Sequence, residues 1–384
     1  MTTVYDSVHG YIDISEVIHI IDTPEFQRLR NIKQLGACNF VFPSAHGTRF
    51  EHSIGVFYLA DRMINALGKN TKYLNHTLSR RMLHLIKVAA LIHDIGHGPF
   101  SHLWDNFCEK NNNFESHEYR GIEIFRYMNK KYSLRYVEEE IALIGQMINP
   151  EPGFRQAKHW DFWMYQIVAN KDSGLDVDKM DYLIRDCAVV GLDINKENIY
   201  RVIDSAKVVD NTVAFPKKTF TSLTIFNLFE TRFKLHKALY QHHTVRGIEL
   251  QIIDCFIKNA KEFGIFLTPG QFPKHIEDFC SLDDSLIDRI QYKEAPGHEL
   301  ITALKKRKIY TLVGSYTDSS KIPKMMITGI VDHVMMSYNS AGTNPMEKVL
   351  FYEEDDKTSC ADPKSYIEPK EYCSNFVRLY KTLK

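Results

Sequence analysis

The chain has 384 residues, 44% of them apolar and 25% charged, with 48 Lys plus Arg against 48 Asp plus Glu. That balance belongs to a globular protein with a substantial core, and zero net charge excludes overall basicity as a basis for nucleic-acid affinity, which leaves that question to local clusters. Seven scattered cysteines without a CxxC pair exclude a disulfide framework and favour a reducing compartment. No stretch approaches about 18 uninterrupted apolar residues and no basic-then-apolar leader opens the chain, so an intracellular, soluble protein with no membrane partner is expected.

Residues 1–14 alternate loosely around His9-Gly10 and predict a short strand or turn pair. Helical periodicity begins near Val17, and Thr23-Pro24 reads as an N-cap with proline at the first helical position. Glu25 to Gln34 is expected to be a basic helix carrying Arg28, Arg30 and Lys33. A loop with Pro43 and Gly47 leads to Thr48-Arg49-Phe50-Glu51-His52, followed by helices over Ser53 to Leu67 and Met82 to Ile95. Residues 109–116 read as a loop, His117 to Met128 and Val137 to Met147 as helices, and Asn149 to Gly153 as a break. Trp160 to Ala169, Val177 to Cys187 and a long stretch from Phe226 to Phe263 complete the helical part. After Pro269 the pattern changes. Glu277 to Ile290 and His298 to Lys306 are short helices, whereas Ile309 to Gly314, Lys324 to Met336 and Lys348 to Tyr352 are rich in β-branched and aromatic residues. The reading is a mainly α fold: a helical core over 1–263 and a smaller mixed α+β lobe over 264–384.

The most informative stretch runs from Ala89 to His102. An apolar run ends in adjacent His93 and Asp94, and Gly96, His97, Gly98 and Pro99 follow. The plain reading is a helix C-cap with a satisfied histidine. The chemical reading is a metal site, since imidazole nitrogen and carboxylate oxygen together suit Mg, Mn, Fe or Zn. His52 and the Asp176/Asp178/Asp181 set offer further donors beside apolar helical sequence. Arg49 sits three residues before His52 and Lys179 follows Asp178; cations beside a metal are what phosphate esters require. Arg232, His236 and Tyr240 recur at four-residue spacing as one helical stripe. Asp176 and Asp181 also read as capping or ion-paired groups, and His46, His76, His84 and His298 as surface or packing residues.

His52, His93-Asp94 and Asp178 match the pattern of the HD superfamily of metal-dependent phosphohydrolases. The match extends to Asp22–Arg30, Arg49–Ser53, the 93–102 stretch, Asp176–Tyr182 and Tyr240-Gln241-His242. Over residues 3–352 the chain resembles the catalytic region of the animal SAM-and-HD-domain deoxynucleoside triphosphate triphosphohydrolases, with no counterpart of the SAM domain expected. The resemblance implies an HD-domain helical core with a regulatory or oligomerisation lobe, and His52, His93, Asp94 and Asp178 as metal ligands. It implies His97, His102 and His117 beside the α-phosphate, with Asp105 orienting one of them and either His102 or His117 as the acid–base group. It implies Arg49, Lys179, Arg232, His236 and Tyr240 around the triphosphate and sugar, Gln34 and Asp186 at the 3′-hydroxyl, Leu35, Tyr182 and Tyr240 against the 2′ carbon, and Gln241 among the substrate-binding residues.

The resemblance also implies an activating guanine nucleotide and a second dNTP bound between subunits of a homo-oligomer, a dimer or tetramer. Asp22, Gln27 and Arg30 would read the guanine, and Arg201, Lys217 or Lys218, and Arg307 would meet the paired nucleotides. Tyr5 stands where the family has asparagine, and Thr311 and Thr343 where it has phosphate-contacting lysines, so activation is expected to differ. Two rivals stand beside the dNTPase reading. One is an HD-class phosphohydrolase for a nucleoside monophosphate or cyclic nucleotide. The other is a nucleotide-sensing or single-stranded nucleic-acid-binding module using the basic helix and Lys305–Lys308.

Overall fold

The computed structural model describes residues 2–72, 74, 79–150, 161–262, 268–323, 329–339, 342–354, 357–360 and 369–383. His76, Trp160, Phe263 and residues 324–328, which carry sequence-based expectations, lie outside them.

Helix α1, Arg49–Asn70, is the spine of the fold. Its start is a capping box in which Thr48 and Glu51 satisfy each other's backbone N–H groups, so the helix begins four residues earlier than the apolar periodicity suggests. Helix α2, Arg80–Ile92, starts at a Ser79 N-cap and packs Leu85, Ile86 and Val88 to Ile92 fully inside. Helix α3 is His102–Lys110, α4 His117–Tyr132 and α5 Glu138–Ile148. Helix α6, Val177–Val190, is capped by Asp176, whose carboxylate accepts from the Lys179 N–H at 2.9 Å, and it ends at Gly191 with φ +66°. Helices α7, Lys196–Asp204, α8, Thr219–Leu235, and α9, His243–Lys258, close the helical layer. α1 packs against both α2 and α6, which brings His52, His93-Asp94 and Asp178 to one place.

Four helical expectations fail locally. The basic helix stops at Gln27, and Arg28–Asn31 is a 3-10 turn, because Arg28 is drawn inside while Arg30 faces outward. The long stretch from Phe226 is interrupted by a π-turn over His236–Tyr240 and a restart at His243. Trp160 to Ala169 reduces, within the described residues, to a 3-10 turn over Phe162–Gln166, and Glu277 to Ile290 divides into Ile276–Cys280 and Leu286–Tyr292.

Strands β1, Thr3–Asp6, and β2, Gly10–Asp13, form an antiparallel hairpin. A second hairpin, β3, Lys207–Val209, and β4, Thr212–Pro216, lies inside the stretch read as helical. It joins β7, Phe351–Tyr352, in parallel, and β8, Thr358–Ser359, extends that sheet. The three-stranded sheet has β9, Cys373–Lys381, between β5, Thr311–Tyr316, and β6, Ile330–Ser337. One cluster of buried apolar side chains runs from Ile12 to Tyr380, so residues on both sides of 263 share a core. All seven cysteines are free thiols, and among the described residues no helix is long and apolar enough to cross a membrane.

Candidate metal centre and nucleotide cavity

The turn after α2 is fixed by close packing. A Cβ on Gly96 would lie 2.0 Å from the His117 carbonyl oxygen, and one on Gly98 would lie 2.4 Å from the Trp104 ring, so glycine alone lets the turn lie against α4 and α3. Phe100 and Ser101 then adopt φ of +60° and +59°, a conformation that costs a non-glycine residue and persists where the surroundings enforce it. Asp284 accepts from the Phe100 N–H at 2.6 Å, and the Ser101 hydroxyl donates to the Lys33 carbonyl at 2.7 Å. Buried Arg28 donates to the carbonyls of Ile95, His97 and Leu282 at 2.8, 2.9 and 3.1 Å.

Four donor atoms converge at the floor of this turn. His52 Nδ1 lies 2.7 Å from Asp181 Oδ2, and His93 Nδ1 lies 2.8 Å from the Ala90 carbonyl oxygen. Acceptors at both Nδ1 atoms assign the ring protons there and turn both Nε2 lone pairs inward. The two Nε2 atoms are 3.2 Å apart. Asp178 Oδ1 is 2.9 and 3.5 Å from them, and Asp94 Oδ2 is 3.5 and 3.4 Å away. Two imidazole nitrogens and two carboxylate oxygens at such distances form a donor set that fits a divalent metal with nitrogen and oxygen preference. Burial opposes charge on His93, yet Asp94 and Asp178 lift it well above the ordinary histidine value. Burial likewise opposes ionisation of Asp94, and Arg49, His93 and His97 outweigh it. Asp181, an ion-paired residue as its sequence context suggests, is bound by Arg185 Nε at 2.7 Å and orients His52.

A second cluster gathers His97, His102, His117 and Asp105. His97 is buried and stacked on His117, with centroids 3.9 Å apart and planes 17° from parallel. Its Nε2 is 3.3 Å from Asp94 Oδ1 but outside hydrogen-bonding geometry, and among the described residues neither ring nitrogen has a hydrogen-bond partner. Burial, then Arg49 and His117, push the His97 pKa well below its ordinary value, so it is neutral near pH 7. Asp105 Oδ2 lies 3.1 Å from His117 Nδ1 and 3.4 Å from His102 Nδ1, while Arg120 binds its other oxygen. His102 is exposed and His117 half-buried.

These clusters open into a cavity of about 690 Å³, a size that suits a nucleotide-sized ligand. Gln34, Leu35, Arg49, Lys179, Tyr182, Asp186, Arg232, His236, Tyr240 and Gln241 all line it, together with His93, Asp94, His97, His102, His117 and Asp178. His52 and Asp105 stand behind the wall. Arg49 donates to Asp94 at 2.6 Å and to Ser101 at 2.9 Å, Lys179 reaches Asp176 at 3.4 Å, and Arg232 donates to the Ser337 carbonyl at 2.5 Å. The Tyr240 hydroxyl donates to Asp186 at 2.7 Å, and burial raises the Asp186 carboxyl to about 6. Burial and the neighbouring Arg232 lower His236 to about 3.

The HD domain profile matches residues 49–186, whose first and last residues both line the cavity. The chain is 30% identical to the human deoxynucleoside triphosphate triphosphohydrolase SAMHD1, over 99% of this chain and 70% of that protein. It is also 30% identical to the SAMHD1 homolog of Dictyostelium discoideum, over 98% of this chain and 76% of the homolog. This chain belongs to the HD-domain deoxynucleoside triphosphate triphosphohydrolase family. A putative HD domain-containing protein of Acanthamoeba polyphaga mimivirus is 36% identical over 73% of the chain.

In this family member the residues expected to read regulatory nucleotides lie outside the cavity. Gln27 Nε2 donates to the Ile21 carbonyl at 2.8 Å, and its Oε1 accepts from Arg30 Nε at 2.7 Å, one turn beyond Asp22. Arg201 lies over the Phe220 ring at 4.4 Å, near the start of α8, which Lys218 precedes. Lys217 pairs with Glu353 at 2.7 Å, and Arg307 donates to the Phe40 carbonyl at 2.6 Å. Three contributors escape a reading of the sequence: Arg28, which holds the histidine turn, and Arg246 and Glu249, which line the cavity and pair at 2.6 Å. Position on α9 just after Tyr240-Gln241-His242 is the signal that points to the last two.

Proposed function

We propose that the chain hydrolyses deoxynucleoside triphosphates to a deoxynucleoside and inorganic triphosphate, at a divalent metal held by His52, His93, Asp94 and Asp178. The observation that carries this reading is the convergence of four donor atoms at the end of a cavity whose other walls present Arg49, Lys179 and Arg232. Mg, Mn, Fe or Zn bound there would lower the pKa of water and polarise the α-phosphate.

The remaining chemistry falls to the chain's own groups. Arg49, Lys179 and Arg232, with His236 and Tyr240, neutralise and orient the triphosphate. Neutral His97 keeps one N–H to donate to an α-phosphate oxygen. As the water oxygen bonds to the α-phosphorus, the bond from phosphorus to the 5′-oxygen breaks. A proton from His102 or His117, oriented by Asp105, goes to that oxygen. Gln34 Oε1 is buried with no hydrogen-bond partner among the described residues and Asp186 offers a carboxylate, so the pair receives the 3′-hydroxyl. Leu35, Tyr182 and Tyr240 crowd the 2′ carbon, where a ribose hydroxyl would be left unpaired; Gln241 completes that end.

The same reading assigns catalysis to residues 1–263 and regulation or assembly to 264–384. It assigns a guanine nucleotide to Asp22, Gln27 and Arg30, and the paired nucleotide to Arg201, Lys217, Lys218 and Arg307, in a homo-oligomer. Thr311 and Thr343, in place of cations, remove charge-assisted phosphate contacts worth roughly 1.5–3 kcal/mol each, so activation is altered: a changed second-site nucleotide, looser nucleotide dependence or a different oligomer. The test is His93→Ala and Asp94→Ala: both are expected to abolish dNTP turnover and Mn²⁺ binding while circular dichroism keeps the helical signal. Turnover that survives in either variant contradicts the reading.

A further inference from the structure

The turn of the N-terminal hairpin reaches the metal centre through a buried chain of hydrogen bonds. His9, between β1 and β2, has a fully buried ring. Its Nε2 lies 2.5 Å from Asp181 Oδ1, and Asp181 Oδ2 lies 2.7 Å from His52 Nδ1. On its other side, His9 Nδ1 lies 2.6 Å from the Tyr200 hydroxyl of α7. A carboxylate at Nε2 assigns the His9 proton to that atom, so Tyr200 donates to Nδ1, and Asp181 accepts from His9 on one oxygen and from His52 on the other.

The hairpin turn has further anchors, one of which returns to Asp181. Asp6 Oδ1 accepts from the His9 backbone N–H at 2.7 Å. Asp6 Oδ2 pairs with Arg185 at 2.9 Å, and Arg185 Nε binds Asp181 at 2.7 Å. Lys196 at the start of α7 donates to the Val8 carbonyl at 2.6 Å. Space for the arrangement is made on α1, where a Cβ on Gly55 would lie 2.0 Å from Asp181 Oδ1 and 2.3 Å from Arg185 Nη2. Two elements remote in sequence thus fix one carboxylate, and that carboxylate fixes the ring of a proposed metal ligand.

We propose that His9 is a positioning residue for the metal centre: held by Tyr200, it aligns Asp181 and through it the His52 ring, which makes the hairpin and α7 part of the metal's scaffold. The proposal rests on the metal reading above. Outer partners of metal-bound histidines typically contribute about 10–100-fold in metal affinity. Arg201, next to Tyr200, and Tyr5, in β1, both lie on elements this chain connects, so a group bound there has a physical route to His52.

The test measures Mn²⁺ affinity by calorimetry and the visible absorption of the Co²⁺-loaded protein, in wild type, His9→Leu, His9→Gln and Tyr200→Phe. His9→Leu is expected to weaken Mn²⁺ binding by about 10–100-fold and to change the Co²⁺ band shape. His9→Gln retains an N–H donor for Asp181 and is expected to stay within a few-fold of wild type, with Tyr200→Phe between them. Wild-type affinity and an unchanged spectrum in His9→Leu overturn the proposal while leaving the metal reading intact. If His9→Leu fails to fold, equal affinities and spectra in Tyr200→Phe and wild type overturn it. Absence of Mn²⁺ and Co²⁺ binding in the wild type overturns the metal reading itself, and this proposal with it.

Discussion

Replacing Asp186 by asparagine removes a charge that folding buries in the cavity wall. The residue is 4% exposed, and burial lifts its carboxyl from 3.8 to about 6 against the opposing effect of the Tyr240 hydrogen bond. Between those values the folded chain binds more protons at this site than the unfolded chain, so the group makes stability fall as pH rises through about 4 to 6. The difference amounts to roughly 3 kcal/mol of destabilisation at pH 7.5 and about half of that at pH 5. Asparagine has nearly the same shape, and its amide oxygen still accepts from Tyr240. Asp186→Asn is therefore expected to raise unfolding free energy by up to roughly 3 kcal/mol at pH 7.5, with a smaller gain at pH 5. It is also expected to raise KM for dNTP about tenfold, because a neutral acceptor replaces a charged one. Urea denaturation followed by circular dichroism at the two pH values measures the first effect, and steady-state kinetics the second. A variant no more stable than wild type at pH 7.5, or a gain independent of pH, would refute the reasoning.

Asp105→Asn leaves Arg120 without its buried counter-charge and weakens the hold on His102 and His117. Turnover is expected to slow by about 10–100-fold, the scale on which outer partners of reacting groups act, while KM stays within a few-fold; an unchanged turnover rate contradicts the orienting role. Gly96→Ala forces a Cβ against the His117 carbonyl. It should cost about 1–3 kcal/mol of stability and lower single-turnover rates as the His97–His117 stack opens; wild-type melting and rate argue against the close approach. Leu35→Ala widens the wall proposed to exclude a 2′-hydroxyl, so the dNTP-to-rNTP ratio of kcat/KM should fall, and an unaltered ratio removes Leu35 from that role.

Much of the helical layer is legible in the sequence because its apolar periodicity is strong and some of its caps are local, as at Thr23-Pro24. The candidate metal ligands are legible from residue type, since an apolar helix has little use for His93-Asp94 at its end. What brings them together is tertiary: α1 carries His52 and α6 carries Asp178, and the packing of α1 against both α2 and α6 cannot be read from spacing. The π-turn at His236–Tyr240 is not legible because the four-residue recurrence of Arg232, His236 and Tyr240 reads as ordinary α-helix. The hairpin over 207–216 and central strand β9 are too short or too mixed in composition to stand out from helix and loop. Arg28 reads in sequence as one more cation on a basic helix. Its burial follows from three carbonyls that converge on it only in the folded chain, and His9 likewise meets Asp181 and Tyr200 only there.

The measurement closest to the central claim is product analysis. The full chain is incubated with each of the four dNTPs and Mg²⁺ or Mn²⁺, with and without GTP, and the products are separated by anion exchange. Release of deoxynucleoside and inorganic triphosphate in equal amounts, lost in His93→Ala, is the expected result. Release of deoxynucleoside monophosphate and pyrophosphate, or no turnover while the metal is bound, would contradict it.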